Sequence, residues 1–223
     1  MFFFSSASNP MGTTPSALPA VNADSRRGSS IIWQNESGAL RIQSFGPADG
    51  RTIVALHGLS SAEFIIREWD TCAEACVKVG FRVLLPNLHS NPATAPSLLR
   101  TTAIEPVLEQ LITQENGPVI LMGKSYGGAV AAAFASKHPQ LVQKLVLACP
   151  AQAKPMVAQE LTMPVLLLWA KDDWITWFSG AKVYQENCPQ LTFHSADSGG
   201  HRILQAAWSP VQDTIHSFCE TLS

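Results

Sequence analysis

A chain of 223 residues, 46% of them hydrophobic, suits one α/β domain with a flexible end. Its net charge of −2 and 14% charged content offer no basic face for nucleic acid or anionic lipid. The five cysteines contain no Cys-x-x-Cys pair, which argues against a disulfide framework and for free thiols in a reducing, cytoplasmic setting.

Met1-Phe2-Phe3-Phe4 lacks a basic start and is too short for a secretory signal. No apolar run approaches the ~18 residues of a membrane span. Residues 1–30, rich in Ser, Ala, Pro, Asn and Thr, read as a disordered tail, with organellar targeting as the alternative. A single α/β domain is expected over 31–223. Ile31–Gln34 and Leu40–Phe45 flank Asn35-Glu36-Ser37-Gly38, a hairpin signature. Thr52–Leu56 reads as a buried strand, Ile66–Val79 as a helix stopped by Gly80, and Phe81–Leu85 as the next strand. A helix is expected over Thr101–Gln114, a strand over Pro118–Met122 and a helix over Tyr126–Lys137. Lys144–Ala148 and Pro164–Trp169 continue as strands. A helix over Ser179–Asn187, a strand over Leu191–Ser195 and a helix over Arg202–Thr221 close the series. Unbroken Val/Ile/Leu strands alternating with helices predict an α/β fold, with a mostly parallel sheet covered on both faces.

Gly123-Lys124-Ser125-Tyr126-Gly127 lies between an apolar strand and an alanine-rich helix. Chance supplies the bare Gly-x-Ser-x-Gly pattern about once in ten chains of this length, so the flanks decide. Strand, sharp turn and helix are the setting in which a strained serine is lifted above the sheet edge as a nucleophile. A serine hydroxyl needs a base, an orienting acid and oxyanion donors. His201, in Ser198-Gly199-Gly200-His201 after the last strand, is the candidate base. His194 and His216 fall inside a strand and a helix, and His138 ends a helix at the other sheet edge. The acid is sought in Trp169-Ala170-Lys171-Asp172-Asp173, with Asp173 preferred and Asp172 the alternative. For the oxyanion, Tyr126 offers a backbone N–H at a helix N-terminus. The turn His57-Gly58-Leu59 offers a second from Leu59. His57 reads as a structural hydrogen-bonder rather than a base.

Taken together, His57-Gly58, Gly123-x-Ser125-x-Gly127-Gly128, the Asp172-Asp173 loop and Gly200-His201 occur in the chain order of the α/β-hydrolase superfamily. The sequence resembles its small lidless serine hydrolases over about residues 31–221. The resemblance implies Ser125 as nucleophile, His201 as base and the Leu59 and Tyr126 amides as oxyanion donors. It selects Asp173 as acid, three residues after a glycine-like position filled here by Ala170. A second departure is Asn87-Leu88-His89-Ser90-Asn91-Pro92, where many relatives carry an Asp-x-x-Gly-x-Gly-x-Ser-like segment.

Trp174, Ile175, Trp177 and Phe178 follow the proposed acid. They read either as core at the start of the next helix or as an apolar wall of a pocket that includes His57, Gly58, Trp174 and Trp177. Only about fourteen residues, 150–163, occupy the place where larger relatives insert a lid, so a shallow, open site is expected. No metal or phosphate-loop motif occurs, and no cofactor is expected. The reading is a hydrolase of small or exposed esters or thioesters, with a small-molecule ester or an acylated protein as substrate. Its rivals are a non-catalytic binding or signalling protein and an acyltransferase or protein deacylase.

Overall fold

The computed structural model describes residues 29–35, 38–59, 65–90, 104–115, 117–151, 160–206 and 208–221. Residues 1–28 of the expected tail, Glu36-Ser37 of the hairpin turn and most of the short segment at the lid position lie outside these residues, while Ser29 and Ser30, expected in the tail, belong to the first strand. Strands β1 (Ser29–Asn35) and β2 (Gly38–Phe45) form the expected hairpin, antiparallel with Asn35 opposite Gly38. Ile31, Trp33, Leu40 and Ile42 are buried while Ile32 is exposed, the alternation of a sheet with one covered face. The strands β3 (Thr52–Leu56), β4 (Arg82–Asn87), β5 (Val119–Lys124), β6 (Val142–Ala148), β7 (Val165–Ala170) and β8 (Leu191–Ala196) are mutually parallel. The sheet order is β1-β2-β4-β3-β5-β6-β7-β8, with β2 antiparallel to β4.

This order fixes where the helices go. From β3 the chain steps outward to β4 through α1 (Ile65–Lys78), then returns past β3 and steps the other way, from β5 to β6, through α3 (Tyr126–Lys137). Right-handed crossovers in opposite directions put α1 and α3 on opposite faces. The strands between them are therefore apolar along their whole length: every residue of β5 and β7 is buried. The reversal at β3 and β5 is also the topological switch point, outside whose carboxyl ends ligands bind in open α/β sheets.

Several boundaries differ from the sequence reading. Helix α2 is Glu105–Thr113, beginning where Pro106 suits a first turn that needs no N–H; residues 101–103 lie outside the described residues. Strand β5 runs on to Lys124, because Gly123 and Lys124 still pair with Leu147 and Ala148. The segment expected as the last helix is helical on both sides of residue 207, which lies outside the described residues. A 3-10 turn over Gly200–Arg202 leads to α5 (Ile203–Ala206) and then α6 (Trp208–Glu220), after α4 (Ala181–Asn187).

Helix α6 is pinned to the sheet by Lys144. Its buried Nζ donates to the Phe218 carbonyl at 2.7 Å and to Thr221 Oγ1 at 2.8 Å, and also reaches the Thr221 carbonyl. A cation on the last carbonyls of a helix satisfies acceptors that have no partner within it. None of the five cysteines forms a disulfide. Among the described residues no helix is long and apolar enough to cross a membrane.

Candidate active site

Strand β5 ends at Lys124 and α3 begins at Tyr126, which leaves Ser125 alone in the turn, at φ 52° and ψ −118°. Such a conformation costs of order 1–3 kcal/mol in a non-glycine residue and persists only when its surroundings hold it. Here they do. The Ser125 N–H donates to the Ala148 carbonyl at 3.0 Å, and its carbonyl accepts from Ala129 at 3.0 Å and Ala151 at 2.9 Å. The glycines make the turn possible sterically. A Cβ on Gly123 would stand 2.3 Å from the Gly127 carbonyl oxygen, and one on Gly127 would stand 2.3 Å from that of Leu56 and 2.5 Å from that of His57. The alanine-rich sequence of α3 keeps the helix close above the sheet, so the turn stays sharp.

The acid and the base arrive from β7 and β8. Asp173 Oδ2 lies 2.9 Å from His201 Nδ1. The carboxylate is buried and fully engaged. Oδ1 accepts the N–H groups of Ile175 at 2.8 Å and Thr176 at 3.1 Å, and Oδ2 also accepts the Thr176 hydroxyl at 2.8 Å. Burial alone would push this carboxyl up; the hydrogen bonds from His201, Thr176 and Ile175 outweigh it and hold the group below its ordinary value. An ionised Asp173 fixes the imidazole with its proton on Nδ1, which leaves Nε2 to accept one.

Serine and histidine meet the same strand end from two sides. Ser125 is bonded to the backbone of Ala148 and Ala151, while Cys149 Sγ lies 3.7 Å from the His201 carbonyl. Ser125 and His201 thus both reach the chain at the end of β6, through adjacent residues. Cys149 Sγ, an Asp173 oxygen and a His201 nitrogen lie within 4.8 Å of one another, the set of possible metal ligands found among the described residues. Because the Asp173 oxygens already accept four hydrogen bonds, the cluster reads as a filled network rather than a vacant coordination sphere.

Of the two adjacent carboxylates, the one on the imidazole is that of Asp173. Asp172 turns instead to the backbone, accepting from Gly200 at 2.8 Å and Gly199 at 3.3 Å. The Tyr126 amide opens α3 and the Leu59 amide follows β3, both at the same sheet edge as Ser125. His57 is buried. The Leu88 N–H donates to its Nε2 at 3.0 Å, so its proton sits on Nδ1, which faces the Gly58 carbonyl at 2.8 Å. Both nitrogens are committed to shaping the turn around buried Gly58.

Trp174 and Trp177 are 72% and 68% exposed, and Ile175 is also exposed, so these three are not core. Phe178 does pack inward, with its ring 5.9 Å from that of Phe193. A groove of about 820 Å³ lies at the opposite end of the sheet. Pro164 and Leu191, at the starts of β7 and β8, line it together with Asp213 and Phe218 of α6, and it shares no residue with this site.

A family described as alpha/beta hydrolase fold matches residues 51–162, half of the chain. The chain belongs to that family. The AB hydrolase superfamily protein YfhM of Bacillus subtilis is 28% identical over 145 residues, covering 62% of this chain and 49% of its own length. A 1-acylglycerol-3-phosphate O-acyltransferase of Arabidopsis thaliana is 34% identical over 129 residues, covering 54% of this chain and 31% of its own length. The chain therefore spans half or less of these relatives. Among solved structures, the serine hydrolase CCSP0084 from Cycloclasticus zankles superposes with a TM-score of 0.74 at 12% identity, covering 86% of this chain and 98% of that one. At that identity the likeness is one of fold.

Within this alpha/beta hydrolase fold, sequence reasoning passed over Thr176, which donates twice to Asp173 and lies 3.4 Å from His201 Nδ1. Its position, three residues after an acid, was the available signal: an Asp followed by a Thr at that spacing forms a local side-chain-to-backbone turn.

Proposed function

We propose that this protein is a serine hydrolase of esters or thioesters, working through an acyl-enzyme on Ser125. Ser125 Oγ attacks the substrate carbonyl carbon and gives its proton to His201 Nε2. The imidazolium so formed is stabilised by Asp173, and the oxyanion by the backbone N–H groups of Leu59 and Tyr126. His201 then protonates the departing alcohol or thiol. Water, deprotonated by the same nitrogen, attacks the acyl-enzyme and releases the acid, returning the proton to Ser125.

The observation that carries this reading is the 2.9 Å pair between buried Asp173 and His201, at the sheet edge that presents the strained Ser125 turn. Trp174, Ile175 and Trp177 supply an exposed apolar wall beside the acid, which suits an acyl or alcohol group met at the surface. A panel of aryl esters and acyl thioesters, with Ser125→Ala as control, tests it. Turnover by the parent and a loss of several powers of ten in the variant are expected; equal rates in the two proteins would sink the reading.

The 34% identity to a protein named as an acyltransferase favours a second reading, in which the same acyl-enzyme passes its acyl group to an acceptor other than water. Product analysis with added alcohol or amine acceptors separates the two.

A further inference from the structure

The sequence Lys171-Asp172-Asp173 holds the loop that carries His201 at successive points. The Lys171 N–H donates to the Ala196 carbonyl at 2.8 Å, and its ammonium donates to Asp197 at 2.6 Å. Asp172 takes the next two amides, Gly200 N–H on Oδ1 at 2.8 Å and Gly199 N–H on Oδ2 at 3.3 Å. Asp173 takes the imidazole itself. From the other side, Cys149 Sγ lies 3.7 Å from the His201 carbonyl.

The two amides that Asp172 holds belong to the least constrained residues of the loop. Gly199 has φ +130° and Gly200 has φ +54°, conformations that glycine enters easily and leaves as easily. Left unheld, such a pair immediately before His201 would let the ring wander. Two charge-assisted hydrogen bonds donated to one carboxylate fix both peptide planes at once.

We propose that Asp172 is a positioning residue whose carboxylate clamps the Gly199 and Gly200 amides and thereby presets the placement of His201 against Asp173 and Ser125. The proposal rests on the roles given above to His201 and Asp173. Asp172 acts through the backbone, and it is exposed, so its loss should cost precision in the site rather than stability of the fold.

The test compares Asp172→Ala and Asp172→Asn with the parent in three measurements: aryl-ester kinetics, thermal unfolding, and the far-downfield NMR resonance of the His201 Nδ1 proton. For Asp172→Ala, kcat is expected to fall about tenfold with KM within twofold, the resonance to broaden, and Tm to change by about 2 °C or less. Asp172→Asn keeps one carbonyl oxygen and should recover part of kcat and of the resonance. An unaltered resonance and kcat in Asp172→Ala overturn the clamp. So does a fall in Tm with kcat and the resonance retained, which marks a merely structural role. If the parent protein hydrolyses no ester, the proposed function fails separately, and the resonance still decides the clamp: broadened in Asp172→Ala if it holds, unchanged if it does not.

Discussion

Gly127 gives the sharpest prediction about the serine turn. A Cβ there would stand 2.3 Å from the Leu56 carbonyl oxygen and 2.5 Å from that of His57, and ordinary contact begins near 3.4 Å. Both neighbours are backbone of the turn after β3, so neither can swing aside as a side chain would. Gly127→Ala must therefore open the gap between α3 and the β3 turn by about 1.1 Å. Two opposing terms set the stability. Alanine gains about 1 kcal/mol over glycine inside a helix. Overpacking costs about 1–3 kcal/mol, and two unyielding carbonyls place this site at or above the top of that range. The net loss is about 2 kcal/mol, or about 4–8 °C in Tm for a chain of this size. The effect on rate is larger, because the displaced turn carries Ser125, and a shift near 1 Å costs about 10²-fold. Differential scanning fluorimetry and aryl-ester turnover measure the two. Gly80→Ala is the control. Its φ of +90° strains any replacement, but a Cβ there meets nothing, and it lies at the far edge of the sheet. It should lower Tm without lowering turnover. A Gly127→Ala protein with Tm and turnover unchanged would refute the steric account of the elbow.

Asp173→Asn should lower kcat by about 10³–10⁴-fold, because the amide cannot stabilise the imidazolium. The same carboxyl predicts acid behaviour. Its folded pKa is depressed, so its contribution is complete above the ordinary carboxylate value near 4 and is lost as pH falls through the lower folded value. Tm of the parent should fall more steeply below about pH 4 than Tm of Asp173→Asn, and parallel curves would contradict the assignment. Thr176→Val removes the hydroxyl that donates to Asp173 Oδ2 and should cost about 1 kcal/mol with a severalfold loss of kcat, read by unfolding and steady-state kinetics. Lys144→Met keeps the buried stem but leaves the Phe218 and Thr221 carbonyls uncapped; about 1–3 kcal/mol of stability and the hydrogen-exchange protection of α6 should be lost while turnover persists.

The strands were legible because β5 and β7 are buried on both faces and so read as continuous apolar runs. The hairpin was legible from a turn signature between alternating strands. The serine turn was legible for a steric reason: only glycine fits beside the carbonyls of Leu56 and Gly127. What escaped the sequence depends on long-range partners. Asp173 was preferred to its neighbour through the family resemblance, but the part played by Asp172 was not legible, because only the approach of the Gly199–His201 segment brings it the Gly199 and Gly200 amides. Trp174 and Trp177 have the composition of core, yet three hydrogen bonds fold the intervening backbone onto Asp173 and leave the rings outside.

The central claim is that Ser125 is the activated nucleophile. Its most direct test is to incubate the folded protein with a fluorophosphonate, digest it and locate the adduct by mass spectrometry. The account predicts one adduct per chain, on Ser125, with ester hydrolysis lost in step with labelling and no adduct in Ser125→Ala. An unlabelled but folded parent, or an adduct on another residue with Ser125→Ala equally reactive, would contradict it.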